Sequence, residues 1–166
     1  HRDLHSFPTR RSSDLSLAQT LHVVGERWSL LIIRDASFGI SRFDDFQKSL
    51  GVARNMLSMR LKHLTAAGIL EKVVNEAGHH EYKLTEKGWD LMPVLLSMTH
   101  WGDKHVPDKK GDRIVFVDKK TGRPIAPMSV HNADGKPVEY YEIKPTLGPA
   151  IKGPVIKKPR TSAGFH

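Results

Sequence analysis

Residues 51–88, GVARNMLSMRLKHLTAAGILEKVVNEAGHHEYKLTEKG, decide the fold of this chain of 166 residues. Leu57, Leu61 and Leu64 are spaced i, i+4 and i+7, which predicts an amphipathic helix with one face against a core. Ala67-Gly68 ends this helix, because glycine readily adopts the left-handed conformation of a helix C-terminus. The leucine stripe therefore predicts a helix from about residue 54 to residue 66.

Two stretches after that glycine alternate apolar and polar side chains with a period of two, as half-buried strands do. They are residues 69–74 and 81–84, and the turn between them, residues 75–80, is the predicted wing. Thr85 is a suitable N-cap for a further helix that runs to residue 105. The residues before the stripe predict helices over 17–24, 27–38 and 43–50, which complete a helix-turn-helix unit with a wing.

The outward face of the helix that carries the stripe gives the functional signal. Residues 46–70 contain no Asp or Glu, and a helix that enters the major groove has to keep carboxylates away from phosphates. A solvated helix face is the alternative, but such a face usually mixes both signs of charge. With about 100° between successive residues, the side chains predicted to point outward are Asn55, Ser58, Met59, Lys62 and His63.

The amide, hydroxyl and basic groups of this region suit double-stranded DNA, because they pair with base edges and with phosphates. The predicted base and groove contacts are Arg54, Asn55, Ser58, Met59 and Lys62. The predicted phosphate contacts are Ser41, Arg42, Arg60, His79 and His80.

The net charge of +8 favours polyanionic partners, but its distribution is uneven. Residues 16–105 hold eleven basic and ten acidic residues, whereas residues 106–166 hold twelve and six. DNA binding is therefore argued from the placement of side chains and not from net charge. No apolar run approaches the roughly 18–20 residues of a membrane span, so we expect a soluble, cytoplasmic protein.

Catalytic and metal sites find no support in the sequence. Asp44 and Asp45 are adjacent in a predicted helix and point about 100° apart, so a role at the start of that helix suffices. His79 and His80 diverge in the same way, and no Cys or acidic residue completes a metal site with them. We expect no enzymatic activity, no cofactor and no metal ion.

Four motifs occur in a characteristic order and spacing. They are Leu21-x-x-Val24-Gly25-Glu26-Arg27-Trp28, Phe38-Gly39-x-x-Arg42-Phe43-x-x-Phe46, Leu57-Ser58-x-Arg60-Leu61-Lys62-x-Leu64 and Tyr82-x-Leu84-Thr85-Glu86-Lys87-Gly88. Over about residues 16–105 the chain resembles the HxlR-type winged helix-turn-helix transcriptional regulators of bacteria. The resemblance implies a homodimer that reads a two-fold operator in the major groove. Some members sense electrophiles through a cysteine near the N-terminus, where this chain has Leu15 and no cysteine.

An apolar stripe on the helix predicted over residues 85–105 is too long for a small winged domain to cover, and an uncovered stripe usually marks an interface. The resemblance also implies that the terminal helices pair the subunits. Pro93 is expected either to kink this helix or to lie near its first turns. The predicted dimer interface is Leu17, Leu21, Val24, Leu91, Val94, Leu95, Met98 and Trp101.

The two ends of the chain differ from this domain. Residues 5–15, HSFPTRRSSDL, look like the conceptual translation of a sequencing adapter, so residues 1–15 are expected to be non-native or disordered. Residues 106–150 are expected to form a small β appendage with strands over 113–118, 125–130 and 138–143. Residues 151–166 are basic and rich in proline, which predicts a disordered tail.

The sequence as a whole predicts an α+β fold: a winged helix-turn-helix domain with a long C-terminal dimerisation helix and a small β appendage. The predicted function is sequence-specific DNA binding by a homodimeric transcriptional regulator. Two alternatives stay open. One is a winged-helix module that binds protein, and the other is a regulator whose small-molecule effector lies between the appendage and the dimerisation helix.

Overall fold

The computed structural model of the chain describes residues 16–111 and 114–144. The predicted non-native N-terminus and the predicted basic tail lie outside these residues. The described elements are α1 Ser16–Val24, α2 Arg27–Ser37, α3 Phe43–Leu50, α4 Arg54–Ala66, β1 Leu70–Val74, β2 His80–Leu84, α5 Glu86–Trp89, α6 Met92–His105 and a 3-10 turn, Tyr140–Glu142.

The chain divides into two compact units between Met128 and Ser129. Residues 107–128 therefore group with the helices that precede them, whereas the sequence predicts a boundary at residue 106. Among the described helices, none has the length and apolar content needed to cross a bilayer.

The leucine stripe of α4 lies at the centre of the core. Leu57, Leu61 and Leu64 are completely buried, and burial of each such side chain is worth about 1.5–3 kcal/mol. The stripe predicted from the sequence is thus confirmed as the face on which the other elements pack. The remaining apolar core residues are Val24, Ile32, Ile33, Phe46, Val52, Ile69, Leu70, Leu84 and Leu95.

A buried carboxylate links α2 to α3. Asp35 is 1% exposed, and its Oδ1 accepts hydrogen bonds from Nε and Nη2 of Arg34 at 2.9 and 2.6 Å. The hydroxyl of Ser49 on α3 donates to Oδ2 at 2.6 Å. Because a buried charge is costly unless it is paired and hydrogen-bonded, these contacts fix α3 against α2.

The two strands form the predicted hairpin. β1 and β2 pair antiparallel, with Leu70 opposite Leu84, Lys72 opposite Tyr82 and Val74 opposite His80. The backbone N–H of Tyr82 also donates to the carbonyl of Ser41 at 2.8 Å. The hairpin is therefore attached along its length to the segment that leads into α3.

The base of the hairpin is fixed to the end of α4 by the start of α5. The hydroxyl of Thr85 donates to the carbonyl of Gly68 at 2.6 Å and accepts from the N–H of Gly88 at 3.1 Å. The ammonium of Lys87 donates to the carbonyl of Ala67 at 2.8 Å. Thr85 is thus confirmed as an N-cap, and it also binds the chain directly after α4.

The helix predicted over residues 85–105 is in fact two helices. α5 ends at Trp89, and α6 begins at Met92 with Pro93 in its first turn. Proline is favoured there, because a backbone N–H in the first turn of a helix has no acceptor within the helix and proline therefore loses no hydrogen bond. The prediction of one continuous helix is wrong, and Pro93 does not kink α6.

The three strands predicted after α6 do not form in the described residues. Only two isolated bridges occur there, Val117 with Pro124 and His131 with Pro137. Each bridge contains a proline, which cannot donate a ladder hydrogen bond, so neither bridge extends into a strand. Turns with glycine in the left-handed conformation do occur there, with Gly122 and Gly135 at φ values of 68° and 77°.

Gly88→Ala is expected to lower the free energy of unfolding by about 1–3 kcal/mol, the usual range for overpacking a filled core. A Cβ at Gly88 would overlap the carbonyl oxygen of Ile69 and approach Cδ2 of Leu84 to 2.8 Å. Urea denaturation followed by circular dichroism measures the change. The matched control is Gly102→Ala in α6, where a Cβ meets no atom within 4 Å and helix propensity predicts stabilisation by about 0.5–1 kcal/mol. Equal stability of the two variants would contradict the steric argument.

Candidate nucleic-acid interface

The outward face of α4 is exposed as the sequence predicts. Asn55, Ser58, Met59 and Lys62 are all exposed, on the side of the helix opposite the leucine stripe. Gly51, in the left-handed conformation at φ 61°, forms the turn between α3 and α4. These two helices are the helix-turn-helix pair, and α4 is its recognition helix.

Arg54 connects the two helices of this pair. Its Nη1 lies 3.1 Å from Oδ1 of Asp44 and 3.3 Å from Oε1 of Gln47, and its guanidinium lies 4.7 Å from the ring centroid of Phe43. Both partners of the ion pair are about two-thirds exposed, and such pairs are worth little in water. Arg54 can therefore exchange Asp44 for a DNA phosphate or base at small cost.

Two side chains of α4 point elsewhere than predicted. Arg60 is only 18% exposed, and its Nη2 lies 3.6 Å from Oε2 of Glu26. Nε2 of His63 lies 3.0 Å from the carbonyl of Val23 at the end of α1. The structure thus turns both residues towards α1 and the α1–α2 junction, and the phosphate contact of Arg60 stays a prediction.

The wing turn is organised by one side chain, that of Asn75. Its Oδ1 accepts from the backbone N–H groups of Ala77 and His79 at 3.1 and 3.0 Å. Its Nδ2 donates to Oε1 of Glu81 at 2.8 Å. That hydrogen bond, followed by the interactions with Lys83, lowers the pKa of the Glu81 carboxyl. The predicted contacts His79 and His80 are exposed at the end of this ordered turn.

The two faces of the hairpin differ in charge. The buried pair Leu70 and Leu84 defines the inner face, and the period of two places Lys72 with Tyr82 and Val74 with His80 on that same face. Glu71 and Glu81 belong to the alternate pairs of the ladder and lie on the outer face. Among the side chains of the two strands, the inner face therefore carries no carboxylate.

A groove of about 460 Å³ separates the recognition helix from the inner face of the hairpin. The ammonium of Lys72 lies 5.8 Å from the ring centroid of Tyr82, and the groove contains no acidic side chain. Sequence reasoning missed Lys72 and Tyr82, although counting in twos from Leu70 would have placed them here. The residues that line the groove are Ser58, Lys62, Thr65, Ala66, Lys72 and Tyr82.

The other two predicted phosphate contacts lie next to the hairpin. Ser41 accepts a hydrogen bond from the backbone of Tyr82, as described above, and Arg42 is the exposed N-cap residue of α3. Within residues 16–111 and 114–144, no three His, Cys, Asp or Glu side chains converge in a way that could hold a metal ion. The polar side chains predicted to contact DNA are cations, hydroxyls and an amide.

A second exposed surface, which we call the apolar face, lies on α1 and α6. Leu91, which directly precedes α6, is partly buried against the core. Two of the predicted interface residues, Val24 and Leu95, are instead buried in the core of the single chain, at 4% and 8% exposure. The exposed residues of the apolar face are Leu17, Leu21, Val94, Met98 and Trp101.

Known proteins resemble this chain over most of its length. A model of the HxlR-like helix-turn-helix family matches residues 23–110. The uncharacterized HTH-type transcriptional regulator Rv3095 of Mycobacterium tuberculosis is 34% identical over 139 residues, which cover 82% of this chain and 88% of that protein. The crystal structure of PA1607, provisionally classed as a transcription factor, has a TM-score of 0.77 at 35% identity and covers 84% of this chain and 99% of its own. For PA1374 of Pseudomonas aeruginosa, also provisionally classed so, the TM-score is 0.58 at 37% identity, with 83% and 95% covered.

Proposed function

The chain belongs to the HxlR-like helix-turn-helix family of transcriptional regulators, and on that premise we propose that it acts as a homodimer on a two-fold DNA operator. The observation that carries the proposal is the acid-free surface formed by the outward face of α4 and the inner face of the hairpin. The relatives are named as transcriptional regulators, and we propose no enzymatic activity. Such a regulator acts in the bacterial cytoplasm, where the chromosome lies.

We place α4 in the major groove, which is wide enough to admit one helix. Asn55 suits an adenine edge, because its amide can donate and accept at the same time. Its Oδ1 already accepts from the N–H of Met56 at 2.8 Å, which orients the amide and leaves one acceptor site and both donors. Lys62 and Arg54 suit guanine, and Met59 suits the methyl group of thymine.

Phosphate contacts in this proposal come from the groove beside α4 and from the wing. Lys72 lines that groove. Arg42, which precedes α3, and His80, the first residue of β2, are both exposed. Contacts of this kind position the protein on the duplex without reading its sequence. They would set the register in which Asn55 and Lys62 meet the bases.

The apolar face is the proposed dimer interface. Exposed leucine, methionine and tryptophan side chains on two helices are unfavourable in water and favour burial against an identical surface. A two-fold axis through α1 and α6 would present two recognition helices to successive major grooves, roughly 34 Å apart.

A cavity beside α6 favours a second proposal, that a small-molecule effector controls this dimer.

Selection of random double-stranded DNA on the full-length chain, repeated at two salt concentrations, tests the proposal. We expect enrichment of an inverted repeat whose half-sites lie one helical turn apart. Failure to enrich any sequence at the lower salt concentration would overturn the proposal. It would favour a winged-helix module that binds protein.

Asn55→Ala is expected to relax specificity at one base pair in each half-site and to cost about 1–3 kcal/mol of binding free energy there. The reason is the loss of the only amide on the exposed face of α4. A repeated selection with the variant measures the change. An unchanged sequence profile would exclude Asn55 from the base contacts.

Lys72→Ala is expected to weaken binding to all DNA sequences alike and to reduce the slope of log K against log salt by about one. Titration of labelled operator at several salt concentrations measures both effects. The matched control is Lys83→Ala, which removes the same charge from the outer face of the same hairpin. If both variants lose the same affinity, the placement of the DNA on the inner face is wrong.

Met98→Glu is expected to convert the dimer into a monomer at micromolar concentrations, because it places a charge at the centre of the apolar face. Size-exclusion chromatography with light scattering measures the mass, and Thr121→Glu, in an exposed turn, is the control. A monomeric wild-type chain, or a Met98→Glu chain that stays dimeric, would contradict the proposed interface.

A further inference from the structure

An open cavity of about 390 Å³ lies where the ends of α2 and α6 meet the segment that follows α6. Arg34 lines it from α2, and Asp103 lines it from α6. Phe116 forms the opposite wall, and its ring is held by that of Phe38, with 5.9 Å between the centroids. All of these residues belong to the unit that contains the winged helix-turn-helix domain.

The cavity favours a positive charge. Asp103 and Asp108 line it, and Oδ1 of Asp108 already accepts from the backbone N–H of Lys110 at 3.0 Å, which leaves Asp103 as the acidic residue on which the argument rests. Arg34 is its basic residue among those described, and both of the nitrogens Nε and Nη2 are already bonded to the carboxylate of Asp35. In addition, α2 and α6 both end beside the cavity, and the C-terminus of a helix carries a partial negative charge.

The other half of the lining is apolar. Val106, Ile114 and Phe116 face the space, and an aromatic ring attracts a cation that approaches its face. No cluster of three possible metal ligands occurs in the described residues. The volume lies at the lower end of the roughly 300–1,000 Å³ of small-molecule sites.

We infer that this cavity binds a small organic monocation with an aromatic or branched apolar body. Its ammonium group lies against Asp103, and its apolar part contacts Val106, Ile114 and Phe116. This ligand is the effector of the regulator, and that last step rests on the proposed function.

Two structural connections link the cavity to DNA binding. Arg34, in its wall, neutralises the buried Asp35, whose other oxygen accepts from Ser49 of α3. α6, which forms another wall, also carries Met98 and Trp101 of the apolar face. A ligand that bridges α2 and α6 fixes the recognition domain relative to the dimer interface. It thereby changes the spacing of the two α4 helices and the affinity for the operator.

Three probes of the same size test the charge preference on the full-length chain without DNA: 2-phenylethylamine, 2-phenylethanol and phenylacetate. Isothermal titration calorimetry at millimolar probe concentration is expected to show saturable binding of the amine, binding of the alcohol weaker by about three- to tenfold, and no binding of the anion. Absence of amine binding, or equal binding of all three probes, would overturn the proposal.

Two variants locate the site. Asp103→Asn keeps the volume of the side chain and is expected to lower affinity for the amine by about three- to tenfold without changing that for the alcohol. Val106→Trp fills the cavity from an exposed position and is expected to abolish binding of both. Asp134→Asn, an exposed carboxylate in residues 129–144, is the control. Amine binding that is indifferent to both Asp103→Asn and Val106→Trp would place the ligand elsewhere and overturn the proposal.

The effector role is tested last, by titration of the selected operator with and without 2-phenylethylamine. We expect a change in operator affinity that Asp103→Asn reduces. An unchanged affinity with an occupied cavity would refute the effector role alone. Loss of all sequence-specific DNA binding would refute the proposed function and leave the binding site intact.

Discussion

The hydroxyl of Thr85 joins α5 to the connection between α4 and β1: it donates to the carbonyls of Gly68 and Ile69 and accepts from the N–H of Gly88. Only Ala67, Gly68 and Ile69 separate α4 from β1, so the connection between the recognition helix and the hairpin is short. The backbone N–H of Ile69 also bonds the carbonyl of Leu64, at 2.9 Å. These bonds position β1, which carries Lys72, relative to α4, which carries Lys62.

The absence of a side chain at Gly88 is part of the same constraint. α5 can approach the carbonyl of Ile69 only at a residue without a Cβ, and this approach directs the chain away from the hairpin. α6 then begins afresh at Met92 with proline in its first turn. The contact between Gly88 and the carbonyl of Ile69 therefore contributes to the position of the apolar face relative to the recognition helix.

Charge placement explains how a nearly neutral domain can present a surface for a polyanion. The acidic residues of the two strands, Glu71 and Glu81, lie on the outer face of the hairpin, where Asn75 and Lys83 compensate Glu81. Asp44 is bonded to Arg54, and α4 itself contains no acid. The arrangement keeps the carboxylates of the strands away from the face that carries Lys72, which a calculation from composition alone would miss.

The sequence predicted those features that neighbours along the chain determine. The leucine stripe, the hairpin and the N-cap at Thr85 each depend on residues within a few positions of one another. The exposure of Arg60 and His63 was harder to predict. Both residues flank the leucine stripe, and the packing of α1 determines whether such a position is exposed or buried. The prediction of strands in the appendage failed because alternation of apolar and polar residues does not show which segment a strand would pair with. The prolines at both bridges also prevent a ladder of hydrogen bonds.

The wing turn carries its own internal support, since one asparagine supplies the acceptor for two amides and the donor to Glu81. Residues 76, 77, 79 and 80 at its tip contribute little to the core, because all four are exposed. Substitutions there are compatible with the same turn as long as Asn75 and Gly78 are kept. Replacement of these four side chains is therefore expected to change the surface of the wing tip at little cost in folding free energy.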